Sequence, residues 1–335
     1  MFRACRIVLA GVGMLLAAAA AQAANHVVTN DGQNFVPRNL TIKVGDTVTW
    51  TNPAGGFSHN VVADDNSFTS GNVAAGPWSY SHTFTSVGAI GYYCAPHGSP
   101  GFGQSGTIVV VDALEITHGS DLFEDLGGAP DKYRISQSPY SSYEIVVEPA
   151  AGETSATIER LANTTTTVLQ TGAAVSALGM AQSLRWINPT ANVFDTDRIQ
   201  IRNPHCPTAG AVGCTSNDVY RLRAYETTYA VPRYNQSGTQ VSVLILHNPT
   251  NYTITGFVHV WSGGTLLNGP GHAFTLPAKT SLVLNVGSLH PSIPGTSGTM
   301  TITHTGRYGD LTGKVVALEP STGFSFDTPM VPRIK

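Results

Sequence analysis

Three side chains in the first hundred residues have types and spacing that suit a metal ion. Cys94 and His97 lie three positions apart in one loop, and His59 lies much earlier in the chain. Copper that alternates between Cu(I) and Cu(II) prefers one soft thiolate and two imidazoles in a trigonal plane, with a weak axial ligand. Taken singly, each residue has an ordinary structural explanation, such as a buried small apolar side chain for Cys94. Together they predict a one-copper site.

These ligands are distant in sequence, so a fold of short strands must bring them together. Strands spaced in this way are typical of a β-sandwich with Greek-key connections, in which a ligand loop can lie beside a distant strand end. The turn Gly45-Asp46 separates two of the predicted strands. The predicted strands cover residues 26–29, 40–44, 47–52, 59–63, 78–84, 90–94 and 107–111.

Residues 25–112 resemble the plastocyanin, pseudoazurin and amicyanin group of cupredoxins. The shared pattern is an early His-Asn, here His59-Asn60, followed by a Cys-x-x-His loop, here Cys94 to His97. The resemblance implies a cupredoxin Greek-key sandwich that holds one type 1 copper ion and carries electrons without turning over a substrate. It also implies that Asn60 hydrogen-bonds across to the ligand loop.

The fourth ligand departs from the family pattern. The family has a methionine two residues before the glycine that opens the last strand, and here this position is Gln104. The resemblance therefore makes the Gln104 carbonyl the predicted axial ligand, with a backbone oxygen or a three-coordinate site as alternatives. An oxygen donor favours Cu(II) and predicts a lower reduction potential than methionine gives. None of the methionines lies in the loop: they are Met1, Met14, Met180, Met300 and Met330.

An aromatic residue in the same loop has two predicted roles. Phe102 either shields the metal or belongs to an apolar surface near His97. The imidazole of His97 would couple copper to that surface. We therefore expect a redox partner protein to dock near His97.

Residues 1–24 have the three-part pattern of a secretory signal peptide. Arg3 and Arg6 precede the apolar run 7–20, and small residues then predict cleavage after Ala23 or Ala24. The alternative is a membrane anchor, but the run is shorter than the ~20 residues that span a bilayer. No other stretch is long enough to do so. The pattern predicts a periplasmic or extracellular protein without a transmembrane span after signal removal.

Cysteine usage and charge agree with export. Cys206 and Cys214 lie in one Pro/Gly-containing loop, and an oxidising compartment favours a disulfide between them, with free or metal-binding thiols as the alternative. The formal net charge of -3 becomes -5 when Arg3 and Arg6 leave with the signal peptide. A weakly acidic chain offers no basic face for nucleic acid.

The rest of the chain predicts further β-structure and no helix of three turns. We expect an all-β protein in which the cupredoxin domain, 25–112, is followed by one or two immunoglobulin-like β-sandwich domains of unknown role, 113–228 and 229–335. The second boundary is placed near residues 229–232. The predicted strands of these regions cover residues 133–135, 143–147, 157–161, 166–170, 183–187, 198–201, 220–225, 240–246, 255–261, 281–286, 299–303 and 313–318.

The sequence is compatible with three functions. The first is an electron carrier whose later domains tether or dock the redox module. The second is a copper-sequestering or surface-associated structural protein. The third, a copper oxidoreductase, needs a second copper held by further histidines. Other histidines are scattered singly, among them His82, His118, His205, His247, His259, His272, His290 and His304. The sequence does not predict the oligomeric state.

Overall fold

The computed structural model describes residues 24–125, 130–151, 156–163, 167–175, 181–191, 195–202 and 219–333. In these ranges the chain consists of strands and turns, and the one helical element is a 3-10 turn at Val286–Ser288. The predicted all-β class is confirmed. No helix of the described ranges has the length and apolar character needed to cross a membrane. The predicted signal peptide and the Cys206–Cys214 loop lie outside the described residues.

The N-terminal part is a sandwich of two four-stranded sheets. The first sheet has the order β2-β1-β4-β6 and the second has the order β3-β8-β7-β5. Strand β1 runs parallel to β4, and β3 runs parallel to β8, whereas the other pairs are antiparallel. The strands are β1 (Asn25–Asp31), β2 (Asn34–Val36), β3 (Asn39–Lys43), β4 (Thr47–Asn52), β5 (Val62–Ala63), β6 (Trp78–Thr83), β7 (Gly88–Ser99) and β8 (Phe102–Val111).

Alternating burial explains how the two sheets face each other. In β4 every second residue is buried, which turns Val48 and Trp50 toward the opposite sheet. The Trp50 ring packs against Phe68 and Tyr92, with ring centroids 5.3 Å apart in each case. Cys94 belongs to the same buried cluster. The cysteine side chain is therefore held at the margin of a packed aromatic core.

The predicted strand over 59–63 is mostly irregular. Regular pairing with β7 is limited to Val62–Ala63, and His59 makes an isolated bridge to Ala74. The backbone of His59 exchanges both of its hydrogen bonds with Ala74, and the Val61 N–H donates to Ser70 Oγ at 2.8 Å instead of to a backbone carbonyl. The strand prediction is therefore wrong for residues 59–61, because a side-chain hydrogen bond interrupts the backbone pairing there.

Residues 114–226 form a second pair of sheets around a separate buried cluster. Their orders are β14-β13-β17-β11-β9 and β10-β18-β12-β16-β15. The strands are β9 (Leu114–Glu115), β10 (Asp121–Asp125), β11 (Asp131–Gln137), β12 (Ser141–Ala151), β13 (Thr157–Ala162), β14 (Val168–Thr171), β15 (Ala173–Ala174), β16 (Gln182–Asn188), β17 (Asp195–Arg202) and β18 (Val219–Glu226).

Residues 229–332 form a third pair of sheets, again with their own buried cluster. One sheet has the order β22-β21-β25-β19-β28, with β23 also paired to β21, and the other has the order β24-β20-β26-β27. The immunoglobulin-like assignment of the second and third pairs stays a prediction. The strands are β19 (Tyr229–Asn235), β20 (Val241–His247), β21 (Ile254–Ser262), β22 (Thr265–Leu266), β23 (His272–Leu276), β24 (Ser281–Asn285), β25 (Ser297–His304), β26 (Thr312–Glu319), β27 (Phe324–Pro329) and β28 (Val331–Pro332).

Candidate metal centre

An interruption in the pairing of β7 and β8 positions two of the three predicted ligands. The ladder runs regularly up to Tyr93 and resumes at Gly98, with a register shift between them. In a regular strand, residues three positions apart point to opposite faces. A bulge removes this restriction by bending the strand locally, so Cys94 and His97 turn toward the same point.

Glycines allow the two strands beyond the bulge to approach closely. A Cβ atom on Gly98 would lie 2.6 Å from the Phe102 carbonyl oxygen, and one on Gly103 would lie 2.5 Å from the His97 carbonyl oxygen. Gly103 also has a φ of 66°, in the left-handed region. Both positions therefore require glycine for the hairpin to hold His97 where it is.

The structure brings His59, Cys94 and His97 together. Their ligand atoms all lie within 4.8 Å of one another. Cys94 Sγ is 3.5 Å from Nδ1 of His59 and 3.5 Å from Nδ1 of His97. Two atoms at this separation can both bind one ion at bond lengths of about 2.0–2.3 Å. The donor set, one sulfur and two imidazole nitrogens, therefore fits a single metal ion.

Burial favours the neutral forms of two of the unloaded ligands, Cys94 and His59. His59 and Cys94 are buried, whereas His97 is half-buried. Burial raises the pKa of the Cys94 thiol, and burial, together with the neighbouring His97, lowers the pKa of His59. A metal ion binds the thiolate, so loading must release the thiol proton. The affinity for metal is therefore expected to increase with pH until the thiol is ionised.

The comparisons with known proteins agree with this geometry. Residues 21–111 match the family of copper binding proteins described as the plastocyanin/azurin family. Over 86 residues the chain is 44% identical to the plastocyanin of Scenedesmus fuscus, and the match covers 23% of this chain and 85% of that protein. The chain belongs to the plastocyanin/azurin family. The family fold and the His59–Cys94–His97 donor set identify copper as the cofactor.

Other members and solved structures match the same part of this cupredoxin. The chloroplastic plastocyanin of Chlamydomonas reinhardtii is 38% identical over 112 residues, which cover 30% of this chain and 75% of that protein. A purple cupredoxin from Nitrosopumilus maritimus is 26% identical, with a TM-score of 0.23 and coverage of 26% of this chain and 99% of that one. A methionine-to-glutamine mutant of amicyanin with Cu(I) is 36% identical, with a TM-score of 0.22 and coverage of 28% and 90%.

Gln104, the predicted axial ligand, lies beside the cupredoxin ligands with its carbonyl oxygen unused. The side chain is buried, and its Nε2 donates to Asn30 Oδ1 at 2.9 Å. Its Oε1 is buried and makes no hydrogen bond of normal geometry, but the amide acts on the His59 ring and partly offsets the lowering of the His59 pKa by burial. A buried carbonyl without a partner is unfavourable, and a metal ion would supply the missing partner.

Asn60 links the two segments that carry the ligands. Its Oδ1 accepts from the Ala95 N–H at 2.9 Å, inside the ligand loop, and its Nδ2 donates to the Gly71 carbonyl at 3.2 Å. Because Asn60 directly follows His59, these bonds fix the backbone of one ligand relative to that of the other two.

One phenylalanine contacts the ligand histidines, and a second, the one singled out from the sequence, lies at the tip of the hairpin that carries His97. Phe102 is 77% exposed and pairs with Ser99 at the tip of the β7–β8 hairpin. The ring of Phe57 meets the rings of both His59 and His97 edge to face, with centroids 6.5 and 6.4 Å apart. Sequence reasoning missed Phe57, although its position two residues before a ligand was a usable signal.

Proposed function

We propose that this protein is an electron carrier that cycles one copper ion between Cu(I) and Cu(II) and does not turn over a substrate. Bound copper supplies the one-electron redox step. The observation that supports this proposal is the convergence of Cys94 Sγ with both histidine Nδ1 atoms at 3.5 Å. A soft thiolate and two imidazoles are a donor set that suits both oxidation states.

The surroundings of the ligands oppose rearrangement when the metal changes charge. Cys94 is fixed by the aromatic core, and Asn60 holds the two ligand segments together. Since neither segment can move independently, the same geometry serves both oxidation states. Because little rearrangement of the ligands accompanies the change of charge, electron transfer stays fast.

The exposed surface around His97 supports docking of a redox partner. His97 is half-buried, and the ring of Phe57, which contacts it, is 62% exposed. Phe102 adds a second exposed aromatic ring on the same hairpin as His97. Contiguous exposed apolar patches mark interaction sites, and the docking proposal takes the rings of Phe57 and Phe102 to belong to one such patch. The proposed electron path leaves the protein through the His97 edge.

Copper loading and redox cycling of the full chain test the proposal. We expect one copper per chain, an intense visible band after addition of Cu(II), bleaching by ascorbate and full recovery with ferricyanide. Copper released upon reduction would favour the sequestering function instead. Two or more coppers per chain with substrate turnover would favour an oxidoreductase.

Electron exchange with a c-type cytochrome, used as a probe partner, tests the docking surface. Replacing Phe57 with glutamate is expected to slow the exchange about tenfold, because a charge then occupies the apolar contact. The matched control is Phe326→Glu, since Phe326 is similarly exposed, at 68%, on strand β27 of the third sheet pair. Equal rates in both variants and the wild type would contradict docking near His97.

The proposal includes export and a mature protein that begins at Ala24. The Ala24 N–H donates to Asp46 Oδ1 at 3.0 Å, and the Asp46 carboxylate also accepts from the Lys43 N–H. Cleavage after Ala23 would turn Ala24 N into an ammonium group paired with Asp46, whereas cleavage after Ala24 would remove this bond. The mass of the exported protein is expected to correspond to residues 24–335. A mass that includes Met1 would contradict export.

The proposed domain boundaries are supported by the separation of the buried cores. The three clusters share no residue, and they span residues 28–110, 116–224 and 229–315. We therefore assign the copper domain to 25–112 and the further regions to 113–228 and 229–335. Failure of a fragment of residues 24–112 to fold and bind copper would contradict the first boundary.

A further inference from the structure

The buried side chain of Asn30 makes the one hydrogen bond that the structure gives to the Gln104 side chain with normal geometry. Asn30 lies near the end of β1, and its Oδ1 accepts from Gln104 Nε2 at 2.9 Å. Strand β1 belongs to the first sheet and β8, which carries Gln104, belongs to the second. This bond therefore spans the sandwich between two residues that are both at least 96% buried.

The bond determines which end of the Gln104 amide faces the ligands. A carboxamide has an oxygen that can bind a cation and an NH2 group that cannot. Asn30 Oδ1 accepts from the NH2 group of Gln104, so Oε1 is the end of the amide that faces the His59 ring, where it makes no hydrogen bond of normal geometry. With Asn30 in the orientation that the structure gives it, turning only the Gln104 amide over would place two acceptors against each other and direct N–H groups at the ligands.

We propose that Asn30 is the positioning residue for the axial ligand: it holds the Gln104 amide so that Oε1 binds the copper ion. This inference rests on the proposed copper site at His59, Cys94 and His97. Donation by Nε2 also polarises the Gln104 amide and makes Oε1 a stronger donor. Asn30 therefore stabilises Cu(II) over Cu(I) without touching the metal.

The experiment compares copper-loaded wild type with Asn30→Ala by visible spectroscopy, electron paramagnetic resonance and redox titration. We expect Asn30→Ala to keep one copper and the thiolate band. Its spectra should shift, and the ratio of Cu(II) to Cu(I) affinity should fall about tenfold, which equals about +59 mV for a one-electron couple. Asn30→Leu fills the same space without an acceptor and gives the same comparison if the alanine variant fails to fold.

Introducing Asn30→Ala into a Gln104→Met protein separates an effect of Asn30 through Gln104 from a general effect on the fold. In Gln104→Met the thioether cannot donate to Asn30, so adding Asn30→Ala is expected to change neither the spectra nor the potential. The matched control is Asn25→Ala, because Asn25 lies on the same strand and accepts only from Thr49 Oγ1 at an exposed position. This control is expected to behave as wild type.

The outcomes distinguish this inference from the proposed function. A wild-type protein without a thiolate-to-copper band would overturn both. A wild type with the band and an Asn30→Ala variant with unchanged spectra and potential would overturn only the role of Asn30. An equal shift in the wild-type and Gln104→Met backgrounds would also overturn it, because Asn30 would then not act through Gln104.

Discussion

Replacing Cys94 with serine is expected to abolish the visible band of the Cu(II)-loaded protein completely. The band arises from charge transfer between a thiolate and copper, and Cys94 is the cysteine whose sulfur lies 3.5 Å from both histidine nitrogens. A serine hydroxyl is a harder donor that stays protonated at neutral pH, so it replaces neither the charge nor the covalency of the sulfur. Any copper that remains bound should show only the weak absorption of oxygen and nitrogen ligands.

The change is small enough for the unloaded fold to survive it. Serine has nearly the shape of cysteine, and the imidazole nitrogens beside Cys94 can accept a hydrogen bond from its hydroxyl. The matched control is Ser58→Ala, an exposed substitution next to the ligand His59. Thermal unfolding without metal should give similar midpoints for all three proteins. A band of wild-type intensity in Cys94→Ser would rule out the thiolate as a ligand.

Two of the ligands could be predicted from local spacing, because Cys94 and His97 lie in one short loop. The third ligand, His59, was implied by the resemblance to cupredoxins, which share the pattern seen here in His59-Asn60. Asn30 carries no such signal. Its contact with Gln104 joins residues 74 positions apart in different sheets. Only the packing of the sandwich brings those side chains together.

Strand β19 was not predicted from the sequence, and its proline explains why. The run from Tyr229 contains Pro232, and proline inside a strand usually argues against regular pairing. The structure accommodates it at an irregularity: the register of β19 against β25 shifts between Val231 and Tyr234. The proline therefore lies where no ladder hydrogen bond is lost. The segment taken as a boundary, residues 229–232, is part of a strand of the third sheet pair.

Two histidines that looked like isolated surface or structural residues are deeply buried in the third sheet pair. His304 on β25 and His259 on β21 are at most 1% exposed. The Gly306 N–H donates to His304 Nδ1 at 3.0 Å, and the His304 ring stacks on Tyr229 with centroids 5.5 Å apart. The backbone N–H of His304 also donates to Ser142 Oγ on β12, at 3.2 Å. His304 therefore lies where the second and third sheet pairs meet.

Acidification from pH 6.5 toward pH 4 is expected to destabilise this part of the protein. Burial lowers the pKa of both His304 and His259 from the ordinary value of 6.5 to about 4. Unfolded chain binds these protons between pH 6.5 and 4 while the native chain does not, so stability decreases as pH falls through this window. Each histidine contributes on the order of 3 kcal/mol to the loss. The charge of Asp310 raises the pKa of His304 and the charge of Arg185 lowers it, and both effects are smaller than the effect of burial.

Hydrogen exchange of the β25 amides at pH 7, 5.5 and 4 measures this loss in the relevant strands, independently of the copper domain. His304→Gln is expected to flatten the pH dependence by on the order of 3 kcal/mol, because glutamine does not titrate and its oxygen can still accept from Gly306 N–H. His247→Gln, on the exposed end of β20, is the control and should retain the wild-type slope. Equal protection of wild-type β25 at pH 7 and pH 4 would show that these histidines are not held neutral by burial.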